Sequence, residues 1–235
     1  MKMKTQNNTI DRNKQVRLIN SLPKYLKTKR KALEEKFGKE KTGTIVEVAN
    51  QVYPEIVCFV PTFNSTMYDK LMELASKLAA LKKGMKAVGI STGEFVRFNI
   101  EQTRASAEKV PGFLKKLGGK IYLSKPMRLY LNRVARQVSN NGWPTKLING
   151  TKNDDYTMSI ETRNCQMVAF WESIGEGDIK PYCTFFDFSS AEALGLGLRQ
   201  VSDIDTGVCK YCFYKNGKVD WPDRIQDILE TRQMN

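Results

Sequence analysis

The chain contains no histidine. Mechanisms that rely on an imidazole base are therefore excluded, as are zinc sites built on histidine ligands. Acid–base work must fall to Asp, Glu, Cys, Lys or Tyr. Long apolar runs are also missing. Ile56 to Val60 is far short of the roughly 20 residues that a bilayer span needs, so a membrane is not an expected partner. The opening MKMKTQNNTI has no apolar stretch behind its charges, and no secretory leader is expected. No glycine-rich phosphate loop is present: Gly195-Leu196-Gly197 lacks the third glycine and the strand before it. A serine nucleophile elbow is absent too, as are internal repeats and low-complexity linkers.

What is there is a globular composition, 41% apolar and 27% charged over 235 residues, which suits one or two domains. The formal charge of +13 is unevenly spread: residues 1–42 carry +9, residues 43–150 another +9, and residues 151–235 carry −5. A basic front half suits phosphate, nucleic acid or an anionic face, or is simply a solvated lysine-rich surface. The cations of 24–41 are interleaved with Leu and Ala rather than with aromatics that stack bases. Nucleic acid is therefore not an expected partner.

The five cysteines are Cys58, Cys165, Cys183, Cys209 and Cys212. An odd count without a leader points to reduced thiols and a cytoplasmic setting. Four of them fall in the last 71 residues, which suits either chemistry or small buried hydrophobes.

The pattern of elements predicts an α+β fold. A flexible basic segment, 1–21, precedes a single domain over 22–235, with a helical part, 22–142, packed against a small antiparallel sheet within 143–235. Helices are expected over 22–37, opening near Pro23 and ending at Gly38; over 66–83, capped by Ser65 and stopped by Gly84; over 94–109; and over 126–139. Segment 44–60 reads equally as a strand or a short buried helix. A loop with a short FLKKL turn is expected around 111–119. Strands are expected over 155–162 and 209–214, the latter ending in the turn pair Asn216-Gly217, with a helix over 165–174 between them.

Candidate chemistry concentrates near Cys183 and Asp187. In a helix, positions i and i+4 share a face about 6 Å apart; in a strand they lie about 13 Å apart. Only the helical reading lets the carboxylate approach the thiol. With Pro181 at a first helical position, Cys183 would sit in the first turn, where backbone amides favour thiolate. The alternative is a buried structural cysteine and a surface aspartate. Cys209-Lys210-Tyr211-Cys212 has the spacing of a metal half-site or redox pair, and Cys165 and Cys183 would complete four ligands. In a strand, however, Cys209 and Cys212 point to opposite faces.

The stretch TRNCQMVAFWESIG, 162–175, resembles the L-2-amino-thiazoline-4-carboxylic acid hydrolase family, with Arg163, Cys165, Phe170 and Gly175 in corresponding places. Cys183 and Asp187 follow in order, then Arg199, Thr206, Gly207, Cys209, Tyr211 and Phe213. A related likeness is to the 4-vinyl-reductase-like domain. The first resemblance implies hydrolysis of a cyclic amidine-like C–N bond without a cofactor. Cys183 would be the nucleophile, with Cys165 in reserve, and Asp187 the acid or base. Arg163 and Arg199 would grip the substrate carboxylate, and Cys209 would line the site. The partners expected are a small-molecule substrate and, in a homo-oligomer, further copies of the chain. Two other readings stand beside this one: a cysteine-ligated zinc or iron–sulfur redox or sensor protein, and a small-molecule-binding domain without catalysis.

Overall fold

Leu18, Leu22, Leu26 and Leu33 recur at the spacing of one helical face. In the computed structural model they are the buried side of α1 (Arg12–Phe37). The structure describes residues 11–202, 204–215 and 217–231. The described residues divide into two compact units: 11–91 together with 169–177, and 92–168 together with those from 178 to 231.

In the first unit, α1 begins well before the expected position near 22. The Asp11 side chain accepts the Asn13 N–H and caps it, so Pro23 lies inside the helix. Residues 12–21 of the segment expected to be flexible are therefore helical, and residues 1–10 lie outside the described residues. Gly38, at φ 84°, ends α1 as expected and opens α2 (Lys39–Val57). The ambiguous segment 44–60 is thus helical for most of its length. Pro54 lies inside α2 near its C-terminal end, where it forgoes the N–H that would bond the Asn50 carbonyl.

Helix α3 (Thr66–Ala87) runs through Gly84 instead of stopping there. A Cβ at Gly84 would lie 2.3 Å from the Ile45 carbonyl oxygen. Glycine there serves the close approach of α2 and α3 rather than a helix end. The buried Tyr53 and Ser76 hydroxyls, 3.0 Å apart, tie the same two helices together. Lys82 is buried and ion-paired with buried Glu176, which also meets Lys83 at 3.3 Å.

The second unit holds α4 (Thr92–Glu108), α5 (Gly112–Tyr122) and α6 (Lys125–Asn140), followed by β1 (Thr145–Asn149) and β2 (Met158–Arg163). The expected FLKKL turn is thus a full helix. Ser124 caps α6 by accepting the Met127 N–H, with Pro126 in the first turn. Helix α7 (Gln166–Ser173) begins in this unit, ends in the first, and is closed by Gly175 at φ 76°. A 3-10 turn, Gly177–Tyr182, then leads to α8 (Phe185–Ala193), β3 (Gly197–Ser202), β4 (Val208–Tyr214), β5 (Val219–Asp220) and α9 (Asp223–Glu230). The turn expected at Asn216-Gly217 includes residue 216, outside the described residues.

The sheet has the order β1-β2-β4-β3-β5. Every pairing is antiparallel except β3 with β5. The architecture is α+β: a helical N-terminal region, then a five-stranded, mostly antiparallel sheet with short helices. Phe188 of α8 packs with Leu198, Phe213 and Met158, and meets the Tyr211 ring edge-on at 6.5 Å. This packing fixes α8 over the face of β4 that carries residues 209, 211 and 213.

Candidate functional site

β2 ends at Arg163, and the chain turns through Asn164 in the left-handed region, φ 47°. Asparagine tolerates this conformation better than most residues. The turn delivers Cys165 immediately before α7, where the helix leaves its first amides without partners. The Cys165 sulfur accepts the backbone N–H groups of Met167 and Val168. Those two bonds favour thiolate, but burial outweighs them and the nearby Asp187 charge opposes it further, so the thiol pKa is raised.

Cys183 does not occupy the first turn of a helix. It sits between the 3-10 turn and α8, two residues ahead of the first helical position, Phe185, and Pro181 lies inside the 3-10 turn. The helix-start setting expected for Cys183 belongs to Cys165. The helical placement of Asp187 does hold: it lies in the first turn of α8.

Register explains what meets what. In antiparallel pairing, directly opposite residues share a face. Thr162 stands opposite Cys209 and Ile160 opposite Tyr211. Cys209, Tyr211 and Phe213 therefore line one face of β4. Cys165, Cys183 and Tyr211 pack around Cys209 and Val168 in one cluster. The Asp187 carboxyl hydrogen-bonds the Tyr211 hydroxyl, which is also in hydrogen-bonding contact with the Cys209 thiol.

Crowding by protein raises the Asp187 carboxyl to about 6, opposed by the bonds from Tyr211 and from its own backbone amide. Asp187 remains open to solvent, which keeps the carboxylate form within reach at neutral pH. Tyr211 is pushed well above the usual phenol range, first by burial and then by the negative charges of Asp187, Cys209 and Cys183. It stays protonated and serves as a hydrogen-bonding bridge.

The two arginines expected to grip a carboxylate are not brought here. Arg163 is opposite Val208 and Arg199 opposite Cys212. Both register positions belong to the face of β4 turned away from Cys209 and Tyr211. Arg163 is held by Glu161 at 3.1 Å. Arg199 meets Asp155 at 3.5 Å and stacks on the Tyr214 ring at 5.4 Å. The same alternation separates Cys212 from Cys209, so the four-cysteine metal set does not form. Among the described residues, no three Cys, Asp or Glu side chains gather to hold a metal ion.

Tyr211 is the member of this cluster that sequence reasoning did not single out for chemistry. Its signal is the Cys209-x-Tyr211 alternation, which puts both residues on one strand face. A separate hollow of about 330 Å³, lined by Lys180, Arg199, Gln200, Asp220 and Arg224 among others, does not include these cysteines. None of the five cysteines is in a disulfide. Comparison of the chain with family models, with curated proteins and with solved structures finds no match.

Proposed function

We propose that the protein is a cysteine-dependent hydrolase of a small cyclic amidine, with Cys165 as nucleophile and Asp187 as the proton carrier. The observation that carries this reading is Cys165 at the start of α7, packed in one cluster with Cys183, Cys209 and Tyr211. The likeness of 162–175 to aminothiazoline carboxylate hydrolases supports the reaction class, although that resemblance implies Cys183 as nucleophile and Cys165 in reserve.

The protonation states fit the chemistry. With its pKa raised, Cys165 is a thiol at neutral pH, while a carboxyl near 6 is mostly ionised. A base works best when its pKa lies close to the operating pH. Asp187 takes the thiol proton as the sulfur attacks the amidine carbon. A bond forms from sulfur to carbon as the C=N π pair moves onto the nitrogen, whose proton in the amidinium leaves the adduct neutral. The tetrahedral adduct collapses by breaking the ring bond from that carbon to its leaving heteroatom, which receives the proton from Asp187. Water then attacks the same carbon, Asp187 accepts its proton, and Cys165 departs as the thiol once that proton is returned. The sum is substrate plus one water giving the ring-opened product.

An amidine is readily protonated, and a cationic ring suits a site whose ionised group is a carboxylate. With Arg163 and Arg199 on the far face of the sheet, a substrate carboxylate is not part of this reading. The test is ring opening of 2-aminothiazoline and of its 4-carboxylate, followed by the thiol each releases. Turnover of either, lost in Asp187→Asn, supports the reading; turnover of neither overturns it.

A further inference from the structure

Helix α5 is built with its apolar side outward. Its glycines face the protein: a Cβ at Gly119 would lie 2.8 Å from the Leu194 carbonyl oxygen, and one at Gly118 would touch the Leu194 side chain at 3.2 Å. Phe113, Leu114, Leu117 and Ile121 share the opposite side and are 69%, 43%, 49% and 50% exposed. A helix that only had to cover a core would place these groups the other way round. Large apolar side chains gathered on one exposed helical face mark a surface with a partner.

The charge around this stripe selects the partner. Between Lys109 and Asn153 the chain has ten lysines and arginines and no acidic residue. Lys116 and Lys120 flank the stripe on α5. On the next helix, exposed Leu129 stands four residues from both Lys125 and Arg133. A second copy of this chain would bring the same cations against themselves, which repels. Nucleic acid would accept the cations but leave the Phe, Leu and Ile side chains unburied.

We infer that α5 is a peripheral docking element for a membrane surface rich in anionic lipid. Phe113, Leu114, Leu117 and Ile121 enter the acyl boundary while the lysines meet the headgroups. An apolar face edged by lysine is the form of a helix that lies in the interfacial plane. Spanning is not involved. Eleven residues of helix extend only about 16 Å, and no described helix is long and apolar enough to cross a membrane. Docking of this kind is independent of the chemistry at Cys165.

The test is co-sedimentation of the full chain with vesicles of phosphatidylglycerol mixed with phosphatidylcholine, beside vesicles of phosphatidylcholine alone. The expected result is binding to the anionic vesicles only, reduced at least tenfold by Phe113→Ser with Leu117→Ser, by Lys116→Glu with Lys120→Glu, and by high salt. All four side chains are exposed, and an unchanged circular dichroism spectrum verifies that each variant folds. The inference is overturned if the chain stays in the supernatant with both vesicle types, or if the variants bind like the parent. It is equally overturned by a parent that runs as a dimer, binds no vesicle and becomes a monomer on Leu117→Ser, which would assign the stripe to a second copy. Capture of an acidic protein without vesicle binding would count against it in the same way.

Discussion

The Tyr211 hydroxyl is hydrogen-bonded to the Asp187 carboxyl, linking the middle of β4 to the first turn of α8. That bond holds the carboxyl lower than crowding alone would leave it. Tyr211→Phe removes it without changing the ring's packing. The apparent pKa that governs turnover should then move upward from about 6. A pH–rate profile that does not move would detach Tyr211 from the reaction.

Asp187 also carries a stability prediction. Its folded-state pKa is raised, so keeping it ionised costs the folded protein, by an amount that its exposure to solvent reduces. The cost is absent below the unfolded carboxyl value near 4, and it is in force above about 6. Asp187→Asn should therefore raise Tm at pH 8 and leave it nearly unchanged at pH 4, while lowering turnover by about a hundredfold or more. A lower Tm at pH 8 would show that the carboxylate stabilises the fold.

Gly84 offers a test of packing in the first unit. Gly84→Ala adds a methyl 2.3 Å from the Ile45 carbonyl oxygen. The gain in helix propensity, about 1 kcal/mol, is outweighed by forcing two backbones apart. A net loss of about 1–3 kcal/mol is expected in chemical denaturation.

Breaking the buried pair in the same unit should cost more. Glu176→Ala leaves Lys82 charged and buried without its main partner. Loss of one partner in such a pair typically costs about 3–5 kcal/mol. Restoration of much of the stability by Lys82→Met in the same chain would show that the stranded charge, rather than a missing contact, was responsible.

Much of this architecture was legible from local chemistry. Gly38 ends a helix, Pro126 stands in the first turn of one, and alternating Tyr156, Met158 and Ile160 precede and enter a strand. Gly84 was misleading because its reason is the Ile45 backbone, a contact distant in sequence. Pro23 misled in the same way: Asp11 starts α1 far upstream, so the proline lies inside the helix. In the site, the helical placement of Asp187 was legible from its spacing to Cys183. The helix-start setting expected for Cys183 fell to Cys165 because the 3-10 turn through Pro181 delays the start of α8. Arg163 and Arg199 were misplaced because pairing register, which decides their face, is set by tertiary contacts that one sequence does not display.

The central claim is that Cys165 attacks and Cys183 does not. Its most direct test compares turnover of 2-aminothiazoline by Cys165→Ser and Cys183→Ser at equal folded concentration, with thermal melts run alongside. Serine is a good partner for the first amides of a helix, so Cys165→Ser should melt near the parent. Cys165→Ser should lose turnover by about a thousandfold while Cys183→Ser stays within about threefold of the parent. Full turnover in Cys165→Ser, with loss in Cys183→Ser, would contradict it.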